Sequence, residues 1–276
     1  MIEKKFGIIG KPLSHSLSPI LHNFWFQKYK ISANYSLIEI ELDEIEGVIK
    51  KIRNNELQGI NVTVPYKQAV IPYLDLIIDD AKKTSSVNTI NLNEEGKVVG
   101  NNTDVYGLQR GFTDKLNNQN LTQNKVLILG AGGVTPSVIL ALEKKGIKRI
   151  SISNRTQKKA EDIKKKFPLI ELVEWKNIES KSEEMDIIIN ATSLGLQGGN
   201  DFKQIFKNIK PSLIYYDIIY NPRETTMIKI LKQKCAKTFN GLEMFIYQGQ
   251  KSFFLWNKIK PDLDEELKLT IKKNLK

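Results

Sequence analysis

A chain of 276 residues with a net charge of +11 and one cysteine has room for two hydrophobic cores, and it can form no intrachain disulfide and no cysteine zinc site. No apolar run approaches the roughly 20 residues of a membrane-spanning helix. Only five of the 42 basic residues are arginine, the better bidentate reader of phosphate, and the lysines are scattered over helix faces; the charge reads as a solvated basic surface without a nucleic-acid partner.

In chain order, Phe6–Gly10 reads as a short buried strand. Three serines follow within five residues, Ser14, Ser16 and Ser18, then Pro19 and a helix over 19–30. Ser18 is placed to cap that helix and Pro19 to fill its first turn. Hydroxyls and N–H groups gathered at a helix start favour a small anion such as a carboxylate or phosphate, although the same residues also fit a capped helix and nothing more. Both histidines, His15 and His22, fall in this segment. A strand at Tyr35–Leu42, a helix at 43–55, a strand at Gly59–Val64, a helix at 67–79, strands at Thr89–Leu92 and Val98–Asn101, and a helix at 105–117 complete a first α/β region. The polar stretch Asn117–Gln123 reads as a surface connection.

A second region opens with the apolar strand Val126–Leu129, the turn Gly130-Ala131-Gly132-Gly133 and the helical segment Ser137–Leu142. A strand over Arg149–Arg155, a charged helix over 157–166, and strands at Ile170–Glu174, Asp186–Asn190 and Leu213–Ile218 follow. Apolar Leu242–Trp256 and an amphipathic 261–274 return to helix. Strand, glycine turn, helix and second strand form the context of a dinucleotide site, with Thr135 standing where the pattern wants a third small residue. The second strand ends in Ser153-Asn154-Arg155-Thr156, with no acid to take ribose hydroxyls and with Lys158 and Lys159 close behind. This complement favours a 2′-phosphate and hence NADP; Thr156 as a plain helix cap is the other reading.

Alternation in the third strand puts Asn61, Thr63 and Pro65 on one face and the valines on the other, with Lys67 just beyond. Asn101-Asn102-Thr103-Asp104 sets an acid at the end of another strand. A lysine and an aspartate meeting in an interdomain cleft would serve as an acid–base pair for alcohol–ketone interconversion, whereas a surface charge is the common fate of either.

Taken together, Gly10–Asn23, Asn61–Lys67, Val87-Asn88-Thr89, Asn102-Thr103-Asp104, Gly130–Gly133 with Asn154-Arg155-Thr156, Asn190–Gly195, Tyr216–Pro222 and Gly241–Gln248 make the chain resemble the NADP-linked shikimate dehydrogenases almost end to end. The resemblance implies an α/β fold of two domains. These are an N-terminal substrate domain (1–104) and a Rossmann-like, doubly wound NADP-binding domain (105–240), with C-terminal helices (241–276) returning to the first. It implies reversible NADPH-dependent reduction of 3-dehydroshikimate to shikimate in aromatic amino-acid (chorismate) biosynthesis. Ser16, Ser18 and Tyr220 would hold the substrate carboxylate; Thr63, Asn88, Asp104 and Gln248 would bond the ring hydroxyls; Lys67 and Asp104 would be the catalytic pair. Gly130, Ala131, Gly132, Gly133, Asn154, Arg155, Thr156, Lys159 and Gly241 would bind NADP, with Thr192 and Met244 at its nicotinamide end. No metal is implied. The expected protein is cytoplasmic, a monomer or homodimer, with small-molecule partners only. A quinate/shikimate dehydrogenase of broader substrate and cofactor use is the alternative. Two departures stand out. Ser85-Ser86 replace the usual Gly-Ala and bear on the position of Asn88; Thr135-Pro136 omit a basic residue that some relatives carry, so phosphate binding leans more on Arg155.

Overall fold

The computed structural model describes residues 3–116, 121–196, 206–234 and 236–275; the first part of the expected 117–123 connection and Cys235 lie outside the described residues. The chain divides into two compact units, residues 1–107 with 246–275, and residues 108–245.

The first unit holds β1 (Lys4–Gly10), α1 (Ser18–Lys28), β2 (Ala33–Glu39), α2 (Ile45–Arg53), β3 (Gly59–Val62), β4 (Leu76–Ile77), α3 (Asp79–Thr84), β5 (Thr89–Leu92) and β6 (Val98–Asn101). Its sheet runs β2-β1-β3-β5-β6-β4, with β1 parallel to β2 and β3, and β5 antiparallel to β3 and β6. One face is aliphatic: Ile9, Ile60, Val62 and Ile90 pack with Ile45, Val48, Ile49 and Ile52 of α2. Another core is aromatic. Phe6 lies 5.1 Å from both Phe26 and Trp256, and Trp25 meets Phe253 edge-on at 5.4 Å. Trp256 and Phe253 belong to a C-terminal helix over Leu242–Asn257, and Trp256 Nε1 donates to Ile90 O at 3.3 Å, tying the returning helix to the first sheet.

The expected helix at 67–79 is corrected. Turns occupy 64–70, a 3₁₀ turn spans Ile71–Tyr73, β4 pairs with β6, and helix resumes only at Asp79. Pro72 explains this, because it lacks the N–H a helix interior needs and is tolerated only in the opening turn of the short 3₁₀ segment.

Helix α4 (Asp104–Gly111) leads into β7 (Lys125–Leu129), α5 (Thr135–Lys144), β8 (Arg149–Ser153), α6 (Gln157–Lys166), β9 (Glu171–Leu172), α7 (Ile178–Ser182), β10 (Ile187–Asn190), β11 (Ile214–Asp217), α8 (Thr226–Gln233) and β12 (Lys237–Asn240). These give way to α9 (Leu242–Asn257) and α10 (Glu265–Lys273). The second sheet is all parallel in the order β12-β11-β10-β7-β8-β9. The first strand therefore lies centrally, with later strands added on either side, which is the doubly wound order. Apolar β7 and β10 are buried along almost their whole length, as strands covered on both faces must be. In this topology ligands meet the carboxyl ends of the strands where the order reverses, between β7 and β10.

Candidate active site

In the first unit the polar residues collect at strand ends and the turns leaving them. Ser18 is not the cap of α1: it is the helix's first residue, Leu17 holds the cap position without a side-chain bond, and Pro19 fills the first turn. Ser16 takes the capping part instead. Its Oγ accepts from Ser18 N–H at 3.3 Å and donates to Ser18 Oγ at 3.2 Å, so the two hydroxyls lie together at a helix N-terminus. Thr63 follows β3, its N–H bonded to Ile9 O at 2.9 Å.

Lys67 Nζ donates to Asp104 Oδ2 at 2.5 Å, and the two side chains are only 12% and 6% exposed. Asn88 Nδ2 reaches Asp104 Oδ1 at 2.9 Å and Gln248 Oε1 at 3.5 Å. The structure thus joins Lys67, Asp104, Asn88 and Gln248 in one cluster. The described hydrogen bonds do not extend from it to Ser16, Ser18 or Thr63.

Two supports of this cluster carry no role in the sequence reading. Asn102 Oδ1 accepts from Asp104 N at 3.0 Å and Val105 N at 3.3 Å, capping α4 so that Asp104 sits in its first turn, where the helix dipole favours a carboxylate. Below Asn88, Ser252 Oγ of α9 takes a bond from Asn61 Nδ2 at 3.0 Å and contacts Thr89 Oγ1 and Thr103 Oγ1 at 2.8 and 3.1 Å. Polar residues at inward strand positions signal such a network, but Ser252 lies 191 residues from Asn61 and no spacing rule joins them.

Ser85 takes the left-handed conformation, φ 47°, that the family's usual glycine would adopt without cost, and Ser86 O accepts from Asn102 Nδ2 at 2.9 Å. The departure at 85–86 therefore leaves the turn and Asn88 in the network. His22 is wholly buried, stacked 4.4 Å from Tyr35, and neither ring nitrogen has a hydrogen-bond partner. Burial holds its pKa down at about 3, so it is a neutral core residue.

In the second unit the cofactor candidates line the carboxyl edge of the sheet. Gly130 has φ 110°, and a Cβ there would sit 2.7 Å from Ala191 O and 2.9 Å from Thr192 Cγ2, so only glycine lets β7 turn this close to the loop after β10. Thr135, in place of a third small residue, is buried and donates from Oγ1 to Gly130 O at 3.1 Å, which fastens the turn. Gly132 is exposed with nothing where a Cβ would go. Asn154 Oδ1 accepts from Ala131 N at 3.1 Å and its Nδ2 donates to Thr156 O at 2.8 Å, bracing the glycine turn against the start of α6. Thr156 holds the cap position of α6 but makes no capping bond. Arg155 and Lys159 are exposed and make no ion pair among the described residues. Gly241 lies against the Ile218 carbonyl so closely that no Cβ fits. Met244 is buried, and Tyr220 stacks on Phe245 at 4.5 Å.

At the same edge, Asp217 is fully buried, and burial pushes its pKa up to about 6 against the opposing pull of its hydrogen bonds. Among the described residues no group of His, Cys, Asp and Glu could hold a metal, and no helix is long and apolar enough to cross a membrane.

Family models match in sequence order: a shikimate dehydrogenase substrate-binding domain over 8–90, a shikimate/quinate 5-dehydrogenase domain over 113–238 and a shikimate 5′-dehydrogenase C-terminal domain over 241–265. A shikimate dehydrogenase (NADP(+)) of Pelagibacter ubique is 44% identical over 265 residues, covering 96% of this chain and 97% of the relative. A shikimate dehydrogenase solved in complex with NADP+ superposes with a TM-score of 0.88 at 33% identity, covering 99% of this chain and 96% of the other. The Thermus thermophilus enzyme in complex with NADP(H) and shikimate gives 0.84 at 28% identity, covering 99% and 100%. The lysine–aspartate cluster of one unit and the glycine-turn edge of the other therefore stand in a sequence matched along nearly its whole length, and the chain belongs to the shikimate dehydrogenase family.

Proposed function

We propose that this chain catalyses the reversible NADPH-dependent reduction of 3-dehydroshikimate to shikimate, a step of chorismate and aromatic amino-acid biosynthesis. The observation that carries the reading is the 2.5 Å Lys67–Asp104 bond, nearly withdrawn from water and braced by Asn88. A proton donor held this way suits an oxygen that gains negative charge during reduction.

Lys67 gives a proton to the C3 oxygen as the ketone is reduced and takes it back from the hydroxyl in the reverse direction. Asp104 orients Nζ, balances its charge and accepts a neighbouring ring hydroxyl. Asn88, Gln248 and Thr63 bond the remaining ring hydroxyls, while the paired hydroxyls of Ser16 and Ser18, with Tyr220, take the substrate carboxylate.

The second unit fits a dinucleotide on its own geometry: a turn at Gly130 that excludes a Cβ, an open Gly132, and exposed Arg155 and Lys159 past β8. When bound, NADPH supplies hydride from the nicotinamide C4. Gly130, Ala131, Gly132 and Gly133 would receive the pyrophosphate; Arg155, with Asn154, Thr156 and Lys159, would hold the adenosine end and its 2′-phosphate; Thr192, Gly241 and Met244 would line the nicotinamide end. Incubating the protein with NADPH and 3-dehydroshikimate and identifying the product by NMR tests the reading. Shikimate as the sole product, formed in step with NADPH loss, is expected; oxidation of NADPH to any other product contradicts it.

A further inference from the structure

Asp217 ends β11, is fully buried, and has no cationic partner among the described residues. All four of its hydrogen bonds are accepted. Oδ1 takes Asn190 Nδ2 and Ile219 N, each at 3.1 Å. Oδ2 takes Thr225 Oγ1 at 2.8 Å and Tyr215 OH at 3.3 Å. An unpaired buried carboxylate is a costly way to fill a core, and a leucine would fill it more cheaply. What the carboxylate adds is two acceptor atoms in one rigid plane, serving two loops at once.

The bonds run outward from there. Asn190 Oδ1 accepts from Thr192 N at 3.0 Å and Thr192 Oγ1 at 2.7 Å, and Asn190 Nδ2 also donates to Leu194 O at 3.1 Å. Thr192 Oγ1 in turn accepts from Leu194 N at 3.0 Å. Two hydrogen bonds thus separate Asp217 from Thr192, the side chain that lies against Gly130. On the other branch, Ile219 is bonded directly, its carbonyl accepts from Gly241 N at 3.1 Å, and Tyr220 follows.

We propose that Asp217 is a positioning residue that locks the loop after β10 and the loop after β11 to each other and so fixes Thr192 and Tyr220 for hydride transfer. This rests on the NADP reading above. The adenine end of the cofactor, at the carboxyl end of β8, receives none of these bonds. Asp217 therefore governs the reacting end of the dinucleotide and not its overall grip.

The test splits these two quantities. Asp217→Ala should lower kcat by about tenfold or more, since displacements near 1 Å at a reacting centre cost up to roughly a hundredfold. Binding of adenosine 2′,5′-bisphosphate, which carries only the adenine end, should change less than about twofold. Asp217→Asn should recover most of kcat, because the amide oxygen can serve Asn190 and Ile219 while its NH₂ donates to the two hydroxyls. Asn190→Ala leaves Asp217 three of its donors, and so keeps the question open to test if the alanine at 217 fails to fold. It should reproduce the kcat loss with adenosine bisphosphate binding intact. Unchanged kcat in both alanine variants, or a parallel loss of adenosine bisphosphate binding in Asn190→Ala, overturns the proposal. Wild-type protein that fails to bind adenosine 2′,5′-bisphosphate overturns the NADP reading, and with it this one.

Discussion

Lys67 and Arg155 are two basic side chains at strand exits with opposite surroundings. Lys67 is nearly buried against a carboxylate, whereas Arg155 stands in solvent without an ion-pair partner among the described residues. The first environment suits proton transfer to a bound oxygen and the second suits capture of an incoming phosphate. Lys67→Ala should lower kcat by about 10²–10⁴-fold with a small change in KM for shikimate, because the proton moves only in the transition state. Steady-state kinetics of folded variant protein checks this, and kcat near wild type would remove Lys67 from the role. Arg155→Ala should raise KM for NADP by roughly ten- to a hundredfold, the worth of one or two charge-assisted bonds, and leave weak NAD use almost unchanged. Equal loss with both cofactors would mean that Arg155 does not read the 2′-phosphate. Both residues are legible in the sequence because each follows a strand inside a run, Asn61–Lys67 or Asn154-Arg155-Thr156, that resembles the family's motifs. The parts of Ser252 and Asp217 are not, since they depend on hydrogen bonds between elements that only folding brings together, and Asn102 adds to its local capping of α4 a bond to Ser86 O of the same kind.

Elements with sharp chemical ends are the ones readable from sequence. The helix at 157–166 and the strands Thr89–Leu92 and Val98–Asn101 stand where expected, because polar turns bracket each of them. The 67–79 segment misleads through apolar residues at helical spacing, Val70, Leu74 and Ile77, which mask the effect of Pro72. Strand β12 leaves little trace in the sequence, whereas helix α8, absent from the expected elements, carries apolar Met227, Ile228 and Leu231 at helical spacing. The strand is four residues long with only one large apolar side chain, and the helix start is marked only by Thr225, whose Oγ accepts from Ile228 N. Ser85 offers a direct test at this scale. It closes α3 with φ 47°, a conformation that costs a side-chain-bearing residue about 1 kcal/mol, so Ser85→Gly should stabilise by roughly 0.5–1 kcal/mol. Urea unfolding reads this as a higher midpoint at unchanged slope; a lower midpoint would show that the serine contributes more than its strain costs.

Across the molecule, two fully buried ionisable groups, His22 and Asp217, give opposite pH signatures. His22, at about 3 when folded and near 6.5 when unfolded, contributes stability that is complete above pH 6.5 and is lost as pH falls towards 3. Asp217, raised to about 6, works the other way: its contribution is present below its unfolded pKa near 3.8 and is lost as pH rises through 6. His22 belongs to the first unit and Asp217 to the second. Between pH 6.5 and 5 the histidine alone accounts for a loss of about 1.6 kcal/mol, the slope growing towards roughly 1.4 kcal/mol per pH unit below its unfolded pKa. Replacing it with phenylalanine, which suits the ring stack on Tyr35, should remove that slope. Parallel wild-type and His22→Phe stability curves over this range would contradict the assignment of a neutral buried imidazole. The two-domain α/β plan is legible because glycine turn, strand order and motif sequence agree with one another, whereas the order β2-β1-β3-β5-β6-β4 of the first sheet depends on pairings between distant segments.

The measurement that bears most directly on the central claim is a steady-state assay following NADPH absorbance with shikimate and with quinate, each paired with NADP and with NAD. Strong turnover of shikimate with NADP and little with NAD is the predicted result, the cofactor preference following from an exposed Arg155 and the absence of an acid from Ser153 to Thr156. Comparable kcat/KM with NAD would contradict it, comparable kcat/KM with quinate would favour the alternative of broader substrate use, and turnover with no pair from folded protein would contradict the catalytic role of Lys67 and Asp104 altogether.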